Sequence, residues 1–229
     1  MTSPEKGYFV AIEGGDGSGK GTQAELLRAY VETTLVKPVL KLSFPLYGQN
    51  SAYYAGRYLD GEYGAADEVP ADLASLAYAL DRFAAKTDIE QHLLLPDSLV
   101  IANRYVASNL AHQGTKYADK DARLAFYDRM MDTEYNIFGI PQPDINIVLV
   151  MPTDMAQGNV DKKDTRSYTN KKRDIHEADA THLDRAKANY EELCALYPEK
   201  FTAVQCIDEA GKMRVIDDIQ AEIRRILGF

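Results

Sequence analysis

Short apolar runs alternate with longer stretches of helical periodicity along most of the chain. Residues 8–12 read as a first strand, and a helix is predicted from about Lys20 to Thr34. Residues 39–44 read as a second strand, stopped by Pro45, which has no N–H for a central ladder. Residues 51–59 carry a helical pattern that Asp60-Gly61 ends, and residues 64–69 form a loop. Pro70 suits the opening of a helix, and the pattern then stays helical to about Leu95. Within it Leu73, Leu76, Ala77, Leu80, Phe83 and Ala84 fall on one stripe at the 3.6-residue period. Residues 99–102 are wholly apolar, as expected of a strand covered on both faces. A helix is predicted over 118–138, a fourth strand over 145–150, and a charged, poorly periodic stretch over 160–174. A helix over 176–197, a fifth strand over 203–207 and a closing helix over 213–227 complete the pattern.

Strands that alternate with helices predict an α/β fold: a five-stranded parallel sheet flanked by helices. In such sheets ligands bind beyond the carboxyl ends of the strands. Four stretches fall there: the glycine-rich turn after strand one, Phe44-Pro45, Asn103-Arg104-Tyr105, and the charged stretch after strand four. A chain of 229 residues suits one domain of this class, 1–229, with a lid at about 158–175. No internal repeat or low-complexity linker divides it.

Composition narrows the partners. The formal net charge is −9, the wrong sign for a general binder of nucleic acid polymers, so any phosphate site is a local basic patch. Cys194 and Cys206 form no CxxC pair and no disulfide framework. The first seven residues lack the apolar core of a signal peptide, and no apolar run reaches membrane-spanning length. The expectation is a cytoplasmic protein without a membrane or nucleic acid partner.

The most informative stretch is Gly14-Gly15-Asp16-Gly17-Ser18-Gly19-Lys20-Gly21-Thr22, set between strand and helix. Its glycines let backbone N–H groups converge, and the helix start adds its positive end, so the hollow suits phosphate oxygens. Lys20 can reach outer phosphates as a mobile point charge. Asp16 beside phosphates is either a turn residue or a group that meets a metal or a sugar hydroxyl. Arg104 directly follows a buried strand; its fork suits a phosphate, the alternative being a surface ion pair. Tyr78 and Arg82 lie four apart, almost opposite the Leu80 stripe. They form either an exposed surface pair, the ordinary reading, or a platform for a flat base. Lys162, Lys163, Arg166, Lys171, Lys172 and Arg173 place six cations within twelve residues, read as a cationic flap over transferring phosphates. His92 and His182 are expected on helix surfaces.

Together these residues resemble the thymidylate kinase family. Ile12-Glu13-Gly14 through Lys20 is similar to that family's nucleotide loop, and Ser43-Phe44-Pro45 to its Phe-Pro element. Tyr78-Ala-Leu-Asp81-Arg82 resembles its thymine-binding helix. Asn103-Arg104-Tyr105-Val-Ala-Ser108-Asn109 resembles its Asp-Arg-Tyr-x-x-Ser element, the most specific match. Asp174-Ile-His176-Glu177 resembles the element after the lid. The resemblance implies a P-loop nucleoside monophosphate kinase fold with a short lid, ATP and Mg2+ as cofactors, dTMP as substrate and a homodimer. It implies that Gly14 to Gly21, with Thr22, bind ATP phosphates and that Lys20, Arg104, Arg173 and Asp16 act in catalysis. Phe44, Tyr47, Tyr78, Arg82, Arg104, Ser108, Asn109, His112 and Asp16 would contact dTMP, and Asp16 and Glu177 would lie near the metal.

Four departures stand out. Gly21 replaces a hydroxyl residue that meets magnesium, and Asn103 replaces an Asp. Leu46 stands where a charged residue is common, and His112 near a tyrosine that screens against a ribose 2′-hydroxyl. The reaction implied is ATP + dTMP → ADP + dTDP, with a kinase for another nucleoside monophosphate or a nucleotide-binding regulatory module as alternatives. No Asp-x-x-Gly element follows strand three, which argues against a GTPase.

Overall fold

The computed structural model describes residues 6–160 and 180–229. Arg166, Arg173, Glu177 and most of the expected lid lie outside the described residues. Five parallel strands, β1 (Tyr8–Gly14), β2 (Val39–Ser43), β3 (Leu99–Asn103), β4 (Ile145–Val150) and β5 (Phe201–Gln205), form one sheet in the order β2-β3-β1-β4-β5. Period-two alternation splits β1 between two cores. Phe9 and Ala11 face one, Val10 and Ile12 the other. Helices cover both faces, so β1, β3 and β4 are apolar nearly throughout.

One face is covered by α1 (Lys20–Thr33) and α9 (Ile216–Ile226), with Ala24, Leu27, Val31, Ile219 and Ile223 in its core. The other holds α4 (Lys86–Leu93), α5 (Val106–Gly114), α6 (Lys120–Met131) and α8 (Ala180–Leu196). Around its edge lie α2 (Tyr53–Leu59) and α3 (Ala71–Ala84), while α7 (Thr153–Val160) follows β4.

Three elements differ from the sequence expectation. The long helix after Pro70 is two, broken at Ala85. The helix expected over 118–138 starts at Lys120 and widens after Met131 into a π-helical turn, Asp132–Ile137. Helix α5 was not expected at all. Every one of its residues is buried, so no polar face marks its period.

Helix α3 is turned around relative to its pattern. Leu73, Leu80 and Phe83 are 61%, 44% and 47% exposed, whereas Asp81 and Arg82 are buried. The inward polar groups are satisfied by partners far along the chain. Asp81 accepts from the Leu46 N–H at 2.7 Å and from the Ser51 hydroxyl at 2.6 Å, which pins the loop after β2 to α3. Arg82 donates through Nε and Nη2 to the two oxygens of Glu134, at 2.5 and 2.7 Å. Glu134 is fully buried in the π-helical turn, which aims it at α3.

Removing one partner of a buried ion pair leaves an uncompensated charge and destabilises by about 3–5 kcal/mol. Glu134→Ala is therefore expected to lower the urea unfolding free energy by about that much. Asp72→Ala, which breaks the exposed Arg129–Asp72 pair, is expected to change it little.

Candidate active site

Strand register builds the site. Residue Ile12 of β1 lies opposite Asn103 of β3, and Ser43 of β2 lies on the other side of Asn103. The glycine loop, Arg104 and Phe44-Pro45 therefore leave the sheet side by side. The Arg104 N–H still donates to the Ile12 carbonyl at 3.0 Å. Its φ of +67° then turns the chain sharply away from β3. That left-handed conformation is strained for a side chain with a Cβ, and such strain clusters at functional sites.

The loop from Gly14 to Thr22 is tightly held. A Cβ at Gly14 would meet the Leu149 carbonyl at 2.5 Å, and one at Gly17 the Ala156 carbonyl at 1.9 Å. Both have positive φ, so glycine is required twice over. Gly19 caps α1 with no side-chain hydrogen bond to its first amides. Those amides keep their capacity for an anion. The Ser18 hydroxyl is buried in the loop without a partner. Lys20 is buried and reaches back to the Gly15 carbonyl at 2.8 Å, with Asp16 at 3.6 Å.

Arg104 faces this loop. Its side chain is 17% exposed, and Nη2 donates to Asp16 at 2.6 Å. Nη1 donates to the Ser108 hydroxyl at 3.1 Å and lies 3.3 Å from Nε2 of His112. Burial works against the charge on Asp16, but Arg104, with Lys20 behind it, holds that carboxyl well below the usual carboxylate range. Burial likewise opposes the charge on Arg104, and Asp16 outweighs it, so the guanidinium stays protonated.

Behind Arg104 sits Glu13, a residue the sequence reading left without a role. It is fully buried and accepts from the Tyr105 N–H at 2.7 Å and the Ser108 hydroxyl at 2.5 Å. Burial pushes its carboxyl up, against the lowering effect of the Ser108 bond and of Arg104. The Tyr190 hydroxyl lies 2.9 Å from that of Ser108. Ser108 thus links a buried carboxylate to the guanidinium.

Beyond this cluster lies a group of packed aromatic side chains. Tyr78 meets Tyr58 edge to face at 6.1 Å and packs, with Tyr47, on Leu59, Val69 and Ala74. Phe44 is buried against Tyr105, ring centroids 5.6 Å apart. Asn109 donates to Glu134 at 3.1 Å and to the Ser75 carbonyl at 3.3 Å. Its Oδ1 is buried and has no partner, so it can only accept. The exposed-pair reading of Tyr78 and Arg82 is overturned, because Arg82 is buried against Glu134. The surface reading of His182 is overturned as well: it is buried and its Nε2 lies 3.2 Å from Nδ1 of His112. Glu134, Glu13 and His182 are the residues that sequence reasoning missed. Only Glu13 carried a signal, a carboxylate at the end of an apolar strand.

Chemically, the arrangement offers converging N–H groups and a lysine beside a second, fixed cation. That suits two phosphate groups held near each other. Among the described residues no cluster of His, Cys, Asp and Glu could hold a metal ion alone. Among them, too, no helix is long and apolar enough to cross a membrane.

Comparison with known proteins agrees. The sequence profile described as thymidylate kinase matches residues 12–214. A protein of Aeropyrum pernix, provisionally named a thymidylate kinase, is 26% identical over 222 residues, covering 94% of this chain and 93% of its own length. The thymidylate kinase of Plasmodium falciparum is 29% identical over 157 residues, covering 69% of this chain and 68% of its own. The thymidylate kinase structure from Candida albicans superposes with a TM-score of 0.73 at 18% identity, over 97% of this chain and 92% of that one, and shares the fold. With profile, relatives and fold in agreement, the chain belongs to the thymidylate kinase family of nucleoside monophosphate kinases.

Proposed function

We propose that this chain transfers the γ-phosphoryl group of ATP to the 5′-phosphate of dTMP, giving ADP and dTDP. One observation carries the reading: Arg104, largely withdrawn from water, faces the phosphate-binding loop across a single strand register. The acceptor is a phosphate monoester whose second pKa is about 6. It is already largely dianionic near neutral pH and needs no general base. The barrier is to bring two polyanions into line, so screening and positioning do the catalysis.

The roles follow from position. Gly14, Gly15, Gly17, Ser18, Gly19, Gly21 and Thr22 cradle the ATP phosphates, and Lys20 leaves the Gly15 carbonyl for the transferring group. Arg104 grips the acceptor phosphate, and Asp16 orients Arg104 and meets the sugar 3′-hydroxyl. Tyr78 stacks on thymine, Phe44 and Tyr47 support that aromatic group, and Arg82 donates to a ring carbonyl. The unpartnered Oδ1 of Asn109 would accept from the thymine imide N–H. A cytosine ring presents an acceptor at that position, so the same oxygen disfavours it. Ser108 and His112 flank the phosphate and sugar, and Arg173 and Arg166 serve as lid cations.

Magnesium fits as an ion carried largely by the nucleotide. Gly21 offers it no hydroxyl, and Asp16 already accepts from Arg104. Asn103 lies beside Gly21, and its Oδ1 is buried without a partner. One neutral oxygen suits a cation that keeps several waters and takes its other ligands from phosphates. Glu177 is a further candidate from the resemblance. When bound, the ion would neutralise charge on the phosphate oxygens.

A homodimer is also proposed. Leu73, Leu76, Leu80 and Phe83 on α3 lie exposed on one face, and Ile137 adds another exposed apolar side chain. An apolar surface of this kind marks an association site.

Two outcomes check the proposal. Arg104→Ala is expected to lower kcat/KM for dTMP by about two orders of magnitude, as when one side of a buried charge pair is truncated. Its Kd for ATP, by titration calorimetry, should barely change. Equal losses for both nucleotides would contradict the assignment. Leu80→Glu is expected to sediment as one chain where the parent sediments as two, with an unchanged far-ultraviolet circular dichroism spectrum.

A further inference from the structure

Two histidines meet beside Arg104, His112 on α5 and His182 on α8. Both are buried. Nδ1 of His112 lies 3.2 Å from Nε2 of His182, while the ring centroids are 5.5 Å apart and the planes 28° apart. A centroid distance so much longer than the nitrogen separation puts the rings edge to edge, joined by one hydrogen bond. At the outer edges, Nε2 of His112 faces Nη1 of Arg104 at 3.3 Å, and Nδ1 of His182 faces the Thr115 hydroxyl at 3.1 Å. That hydroxyl donates to the His112 carbonyl at 2.8 Å.

The direction of this chain is set from both ends. An arginine nitrogen donates and never accepts. Nε2 of His112 must therefore accept, and the proton of that neutral ring sits on Nδ1. Thr115 has one proton, given to the His112 carbonyl, so its oxygen accepts from Nδ1–H of His182. Nε2 of His182 is then bare and accepts from Nδ1–H of His112. The two ends demand the same middle. Both rings carry their proton on Nδ1, and each fixes the other.

Around the pair, Arg104 approaches from the end of β3 and the Tyr190 ring from α8 at 6.1 Å. Asp16 takes the other guanidinium nitrogen, Nη2, and Glu13 lies beyond Ser108 and Tyr190. A second proton on either ring would set N–H against N–H, or against the guanidinium.

We propose that His182 is a positioning residue for acceptor recognition: with Thr115 it fixes the tautomer and angle of His112, whose Nε2 steadies the guanidinium of Arg104. This rests on the reading that Arg104 holds the dTMP phosphate. His182 itself touches neither substrate nor reacting atoms. It acts through His112, and its loss would let the guanidinium swing within the bonds left to Asp16 and Ser108.

The test is steady-state kinetics of His182→Phe, His182→Gln and Arg104→Ala, with dTMP and ATP varied separately. Long-range 1H–15N correlation spectra of the parent protein read the two tautomers directly. His182→Phe is expected to raise KM for dTMP by about tenfold, the scale of one hydrogen bond to a charged group, and to leave KM for ATP unchanged. His182→Gln should regain most of the loss, because its amide oxygen can accept from His112 Nδ1–H. The parent spectra should show both rings neutral and protonated on Nδ1. Equal behaviour of the two His182 variants, or either ring protonated on Nε2, would overturn the proposal. The spectra decide even where the Phe variant fails to fold. If Arg104→Ala raises KM for dTMP while neither His182 variant does, the relay alone is wrong. If Arg104→Ala leaves KM for dTMP unchanged, the reading of Arg104 falls with it.

Discussion

A guanidinium held out of water at the end of a buried strand needs anionic company. Arg104 is that group, and the structure around the site is arranged to keep it there. Its backbone occupies a left-handed conformation that stores about 1–3 kcal/mol of strain. Asp16 supplies the opposing charge from the neighbouring strand's loop. That partnership depends on β1 lying directly beside β3, which places Ile12 against Asn103. Glu13, Ser108 and Tyr190 support the guanidinium from below. No single contact in this set would suffice, because a buried charge is tolerated only when its remaining hydrogen-bonding capacity is met.

The same principle governs a further ion pair. Arg82 is a second buried cation, matched by Glu134 from the π-helical turn. Two cations are thus fixed inward on a chain whose overall charge is −9. The long-range field of such a protein does not draw anionic nucleotides in. Capture therefore rests on short-range groups already in place: loop amides, Lys20 and Arg104. Pre-organisation of this kind removes the cost of ordering long cationic side chains when the substrates arrive.

Much of this was legible in the sequence, for identifiable reasons. Strands stood out because β1, β3 and β4 are short runs that are apolar on both faces. The glycine loop stood out because its spacing serves one purpose. Helix α5 was invisible because burial on all sides erases periodicity. Helix α3 misled because its inward polar groups are paired with Leu46, Ser51 and Glu134, 30 to 52 residues away. No local pattern reveals such partners. The same holds for His182, whose partners His112 and Thr115 lie 70 and 67 residues earlier. Periodicity reports which residues share a face, and tertiary pairing decides which way that face points.

The central claim is that the Arg104 guanidinium meets the acceptor phosphate. A 31P NMR titration of dTMP bound to the protein tests it most directly. A fixed cation favours the dianion, so the second ionisation of the bound phosphate should move below its free value of about 6. It should return towards that value in Arg104→Ala. A bound phosphate that titrates at or above the free value, and that Arg104→Ala leaves unmoved, would contradict the account.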